Sequence, residues 1–357
     1  MWAGCGGHEF WETINSTPSS SNPTGAVPKF AFAANFNGGG AGSVSAYTVN
    51  SGTGALTAVS GSPFAAGTGT VAAGADSAGK FVYAANQGGG VSASTITRAD
   101  GTLVAVTGSP FATGTTPVWV AVDPGGRFVY VVNGGSNDIS GFAINSSTGA
   151  LTAVSGSPFA VTAKPLRATV DPTGRFLYVA LGTGGTEVFK INSDGSLAVV
   201  RTVPAAPCAA SDAVALDASS RFVFVADGTT GICNYAVNAS SGDLTLITST
   251  IIPAGTNPVA VATGANGKFL FAANNGSNNL SGFIINADGT LTAMSGSPFT
   301  VGSSPVDVTV DPSGAFVYVA NFNGTSVSIF FVNSSNSLSS VGTATAGTNP
   351  NSVVITQ

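Results

Sequence analysis

Apolar residues in this chain come in short bursts with a two-residue rhythm, each cut off by Gly, Asn, Asp or Pro. Bursts of this kind, rich in Val, Phe, Tyr and Ala, read as β-strands, and the punctuation between them reads as tight turns. No segment keeps the 3.6-residue spacing of an amphipathic helix. None approaches the roughly 20 consecutive apolar residues of a membrane-spanning helix. The pattern predicts an all-β chain.

The bursts also repeat. One unit runs from Pro117 to Asn133, continues through Asp138 to Asn145, and ends with Gly149 to Val154. Its Phe128 recurs as Phe30, Phe81, Phe176, Phe222, Phe269 and Phe316, at spacings of 51, 47, 48, 46, 47 and 47 residues. Four strands per unit at that period predict a seven-bladed β-propeller, in which each unit is one sheet of a ring. Within a unit, strand A is innermost and an Asp-Pro-x-Gly turn follows it, as at Asp123, Asp171 and Asp311. Strand B carries Phe-Val-Tyr-Val or its equivalent, and strands C and D follow. Four units then carry Gly-Ser-Pro-Phe, beginning at Gly61, Gly108, Gly156 and Gly296. The phenylalanine is expected to anchor the crossing to the next blade.

The ends of the repeat are complementary. The first unit begins at strand B, near Phe30, and the last residues, Asn349 to Thr356, look like a strand A with nothing after it. Joined, they complete one blade. The sequence therefore divides into a leader, 1–28, and a ring, 29–357, whose C-terminal strand closes the N-terminal blade. Closure removes two sheet edges that would otherwise template aggregation. The ring is expected to be a monomer.

Composition narrows the partners. Eleven basic residues, scattered through a chain of net charge −5, do not make a phosphate-binding surface, so nucleic-acid binding is excluded as an expectation. The N-terminal Trp2-Ala3-Gly4-Cys5 followed by a Ser/Pro-rich stretch is similar to the cleavage end of a lipoprotein signal. Cys5 is then a lipidation site and the protein is exported, tethered at a membrane only through that anchor; the other reading is an ordinary leader with a chance cysteine. Cys208 and Cys233 remain as a pair within one blade. They form either a disulfide, which suits an oxidising compartment, or two buried thiols.

The repeated motifs, Asp-Pro-x-Gly-Arg-Phe-Val-Tyr-Val-x-Asn and then Thr-Gly-x-Leu, resemble those of lactonase-type seven-bladed propellers and of the related propellers named for a Tyr-Val-Thr-Asn repeat. The resemblance runs from Lys29 to Gln357. It implies a hydrolase or isomerase acting on a lactone, with His, Arg and Glu in a central cleft. That set does not carry over, because the only histidine is His8, in the leader, and the only glutamate beyond the leader is Glu187.

Candidate chemistry lies in rings of equivalent positions. The A–B turns hold Asp76, Asp123, Asp171, Asp217 and Asp311 with Lys80, Arg127, Arg175, Arg221 and Lys268. They read as turn chemistry or as a docking ring. The end of strand B carries Asn35, Asn86, Asn133, Asp227, Asn274 and Asn321, interrupted by Leu181. These amides, Asn133 and Asn321 among them, could bind a sugar or coordinate a cation through oxygen, or could bond their own backbone to start a turn. Departures from repetition carry more information. The third position of strand A reads Val71, Trp119, Arg167, Ala213, Ala260, Asp307 and Ser352, with Lys164 and Asp212 close by. A hydrolytic reading makes Asp307 or Asp212 the base and Arg167 the stabiliser of an oxyanion. Trp119 would stack on a sugar and Lys164 would contact the ligand. The other reading is a structural ion pair or solvated loop charges. No Cys/His cluster has zinc spacing, no Ser-His-Asp set is possible in the ring, and no metal or cofactor is expected.

The leading functional expectation is a propeller that binds a protein or carbohydrate through its loop face without catalysis. The alternative, from the resemblance, is a lactonase-like hydrolase or isomerase. A deep pocket joining Arg167 to Asp307 would favour the enzyme, and a flat Asn-rich face would favour binding.

Overall fold

The computed structural model describes residues 30–356. The leader with Cys5 and His8 lies outside the described residues. Seven antiparallel sheets follow one another along the chain, and each packs its faces against its neighbours in the ring. They are numbered here as blades 1–7 from the N-terminus. Blade 1 is the composite one: Phe30–Asn35 pairs on one side with Ala41–Val49 and on the other with the C-terminal strand Pro350–Ile355. The register is Ala31 to Ile355, Phe32 to Val354 and Ala33 to Val353. Thr356 extends the closure, since its N–H donates to the Phe30 carbonyl at 2.9 Å.

The repeated residues do structural work between blades. Tyr83, Tyr130, Tyr178 and Tyr318 are fully buried, and each hydroxyl donates to a glycine carbonyl in the C–D turn of the following blade. The recipient Gly149 shows why glycine stands there. Its φ is 75°, and a Cβ on it would lie 2.4 Å from the Phe81 ring. The aspartates of the A–B turns are buried, and in Asp76, Asp171 and Asp217 one carboxylate oxygen accepts the N–H groups four and five residues on. Arg127, Arg175, Arg221 and Lys268 each lie over the phenylalanine that follows, as with Arg127 at 5.1 Å from the Phe128 ring centre. These positions make the turn and its cover.

Gly-Ser-Pro-Phe anchors the crossings as expected, and the serine contributes as well. Ser62, Ser109, Ser157 and Ser297 each accept a strand C N–H through the hydroxyl, at 2.9–3.0 Å. Phe64, Phe111, Phe159 and Phe299 then pair with strand C of the same blade. The crossing from blade 4 to blade 5 lacks this motif. There the strand Leu197–Val203 runs long, and the loop after it is held by the disulfide Cys208–Cys233. With a sequence separation of 25 between the cysteines, chain entropy assigns the bond about 3 kcal/mol. Reduction under native conditions is therefore expected to lower the melting temperature by roughly 5 °C, given the size scaling of unfolding entropy. Differential scanning with and without reductant measures it, and coincident transitions would contradict the assignment.

One register differs from the sequence alignment. In blade 2 the residue equivalent to Trp119 is Ala72, not Val71: Ala72 pairs with Ala85 as Trp119 pairs with Val132, each after a bulge. The proline that marks the first position of strand A in blades 3, 6 and 7 is replaced by Thr70, so the landmark is missing. Val71 belongs to the second position.

Candidate functional site at the channel mouth

The innermost strands leave a channel along the ring axis, and Arg167, on strand Arg167–Val170 of blade 4, divides it. Below lies a cavity of about 270 Å³ walled by later residues of the inner strands, such as Gly74, Val120, Thr169, Val308 and Val354. Above, towards the loop face, lies a mouth of about 320 Å³ lined by Leu166, Arg167, Asp212, Val259, Asn275, Val306 and Asn351. Arg167 borders both. The mouth is mainly a ring of second positions on strand A. In most blades that position holds an aliphatic residue, but blade 5 supplies Asp212 and blade 1 supplies Asn351.

Arg167 is held on three sides. Its Nη1 donates to Asp307 Oδ1 at 2.8 Å, its Nη2 donates to the Val306 carbonyl, and its guanidinium lies 4.3 Å from the Trp119 ring centre. A guanidinium carries five N–H donors, so others remain for a ligand. Trp119 is itself fixed, its Nε1 donating to the Ala168 carbonyl at 2.9 Å. Arg167 covers one face of the Trp119 ring, and Trp119 lines the lower cavity and not the mouth, so the sugar-stacking expected of it would fall outside the mouth. Asp307 is equally committed. Its second oxygen accepts the Val353 N–H at 2.9 Å, on the closing strand. Burial pushes its carboxyl upward, with Arg167 and the N–H groups of Val353 and Val308 pulling against that. With both oxygens engaged, Asp307 is poorly placed as a base.

Asp212 is the contrast. Its loop is tied to blade 4 by paired backbone bonds between Ser211 and Gly182, to blade 5 by its own N–H on the Ala226 carbonyl, and upstream by the disulfide. Gly228 leaves room for the carboxylate, since a Cβ there would lie 2.5 Å from Oδ2. Among the described residues no hydrogen-bond donor reaches that carboxylate. Burial raises its pKa, Arg167 opposes the shift, and Asp227 adds to it. Asn275 and Asn351 donate their Nδ2 to the Pro305 and Val71 carbonyls at 3.3 and 2.7 Å. That leaves each Oδ1 to accept from a ligand hydroxyl.

The other candidates lie apart. Lys164 is exposed and borders neither cavity. Asn133 and Asn321 are fully buried, so they offer no ligand-binding surface. Asn133 donates to Asp138 and Ser140, and Asn321 donates to Ser326 and Ser328. These two amides bond strand C side chains, not their own backbone; Asp227 caps its own turn, through the N–H groups of Thr229, Thr230 and Gly231, and Asn86 also reaches the Gly90 carbonyl of its own turn. Glu187 accepts from Thr162 and is buried away from the channel. Sequence reasoning missed Asn275 and Asn351. Asn351 was visible as a polar residue in an aliphatic column, had the second position been compared across blades. Asn275 was hidden beside the repeated Asn274.

Comparison with known proteins adds a family. The family described as lactonase, 7-bladed beta-propeller, matches residues 20–294 and 249–355. No curated protein matches the sequence. Among solved structures, a Lactobacillus plantarum protein is 21% identical, with TM-score 0.76 over 92% of this chain and 99% of its own. A candidate 6-phosphogluconolactonase from Bacteroides uniformis is 18% identical, with TM-score 0.80 over 92% of this chain and 100% of its own. The periplasmic gluconolactonase of Pseudomonas aeruginosa is 18% identical, with TM-score 0.72 over 92% of this chain and 98% of its own. At these identities the likeness is one of fold.

Proposed function

We propose that this chain, which belongs to the lactonase family of seven-bladed β-propellers, hydrolyses an uncharged lactone in the channel mouth. The observation that carries the reading is the half-buried, unpaired Asp212 carboxylate in a mouth it shares with Arg167. Asp212 takes a proton from water as the oxygen attacks the lactone carbonyl carbon. Arg167 offers N–H groups to the oxyanion that forms there. The ring C–O bond then breaks, and the proton on Asp212 passes to the departing alkoxide, leaving a hydroxy acid. Asn275 and Asn351 orient the substrate hydroxyls. A binding-only propeller is the less supported reading, because the asparagines expected to present a sugar-binding face are buried.

Charge selects the substrate class. Among the described residues lining the channel, Asp212 and Asp307 face a single cation, Arg167, so the region is net negative and a phosphate dianion is repelled. The disulfide supports work in an oxidising compartment. Assayed side by side, a neutral sugar δ-lactone is expected to show a kcat/KM at least about tenfold above that of its 6-phosphorylated counterpart, a difference of about 1.4 kcal/mol. A preference for the phosphorylated lactone would reject the substrate class, and rates at background for both would reject the reaction.

A further inference from the structure

We infer that Asp307 is a positioning residue, which holds Arg167 against the far wall of the channel and so keeps the Asp212 carboxylate unpaired. The inference rests on the reading of Asp212 given above, but the geometry behind it is independent of any substrate.

Among the described residues the channel is lined by one cation and two candidate acids. Arg167 stands at the third position of strand A in blade 4, and Asp212 stands at the second position in the adjacent blade 5. Both line the mouth, so Asp212 is the carboxylate that neighbouring blades would pair with Arg167. The guanidinium instead crosses the channel to blade 7, where Asp307 Oδ1 and the Val306 carbonyl receive it. Asp307 cannot follow if Arg167 turns back, because its other oxygen is fixed by the Val353 N–H on the closing strand. Trp119, pinned to Ala168, backs the guanidinium from blade 3.

The clamp therefore has a chemical consequence. A carboxylate bonded directly to Arg167 would be held ionised and weakly basic, whereas one that only feels the charge at a distance keeps a raised pKa. The charged groups acting on Asp212 are Arg167, from blade 4, and Asp227, at the end of strand B in its own blade; Asp307 lies beyond Arg167. With Asp307 neutralised, Arg167 loses its charged partner and the nearest remaining carboxylate in the mouth is Asp212.

The test is a titration of the Asp212 carboxyl carbon by NMR, with the resonance assigned through Asp212→Asn. In Asp307→Asn the midpoint is expected to fall by about one pH unit or more. Part of any fall could come simply from removing a like charge, so the same step is taken in an Arg167→Gln background. There the fall is expected to vanish or shrink several-fold. An equal fall in both backgrounds, or none in either, overturns the inference. Asp307→Ser supplies a second route if Asp307→Asn does not fold, because it also removes the charged partner of Arg167 and is read against the same Arg167→Gln background. A lowered midpoint is again expected, and an unmoved one overturns the inference. No lactone enters the titration, so its outcome is separate from whether the chain hydrolyses one.

Discussion

A chain ending at Thr348 is expected to aggregate on expression, or to melt at least ~10 °C below the full-length protein. The closing strand is bonded to three blades. Its backbone forms the inner ladder of blade 1, Ser352 Oγ accepts the Ala73 N–H of blade 2, and the Val353 N–H reaches Asp307 of blade 7. Val353 is buried, and Val354 and Ile355 pack against the cores on either side of blade 1. At about 1.5–3 kcal/mol for each fully buried aliphatic side chain, less for the two partly exposed ones, the apolar loss alone amounts to several kcal/mol. A total stability of roughly 5–15 kcal/mol does not absorb that easily. The truncation also bares the edge of Phe30–Asn35, a fully buried and mostly apolar strand, by removing the closing strand that its backbone pairs with. Size-exclusion chromatography and a thermal scan decide it; a monomer with an unchanged transition would mean that the ring does not depend on its closure.

Replacing Asp212 by Asn is expected to lower lactone hydrolysis by roughly 10²–10⁴-fold, the range associated with loss of a general base. The pH dependence follows from the direction of the shift. Asp212 acts as a base only when ionised, and burial raises its pKa, so wild-type activity should fail on the acid side at a pH above the usual carboxylate range. That acid limb should be absent from whatever rate the variant retains. Stability should respond in the opposite sense to activity. A carboxyl whose folded pKa is raised favours folding below its unfolded pKa, and that contribution is lost as pH rises through the folded value. At neutral pH the charged carboxylate therefore costs stability, and the Asn variant should melt no lower than wild type. A variant that loses activity only because it has unfolded would contradict this account, as would one that keeps full activity.

Much of the architecture was legible in the chain because each blade repeats the same solutions to the same local problems. Asp-Pro-x-Gly makes a turn, the strand B aromatics fill the gap between blades, and Gly-Ser-Pro-Phe pins the crossing. These are short-range rules, so they survive without knowledge of the ring. The disulfide was legible as one of two options, since proximity in a blade permits a bond without requiring it. The site was legible only in outline. Arg167, Asp307 and Asp212 stood out as charges in apolar columns, but their pairing depends on distances across the axis, and a linear repeat contains no such distance. The repeated asparagines misled for a related reason. Asn133 and Asn321 look available at the end of a strand, yet the crossing loop covers them and strand C serines take up their amides. A single misplaced landmark, Thr70 in place of proline, was enough to exchange Val71 for Ala72 in the ring that matters.

The most direct measurement is a crystal structure with the hydroxy-acid product of a neutral sugar lactone soaked or grown into the protein. The account predicts the carboxylate of that product in the upper mouth, between Asp212 and Arg167, with its hydroxyls on Asn275 and Asn351 and the Arg167–Asp307 bond intact. Product bound instead on the outer rim of the loop face, or reaching the lower cavity past a displaced Arg167, would contradict it.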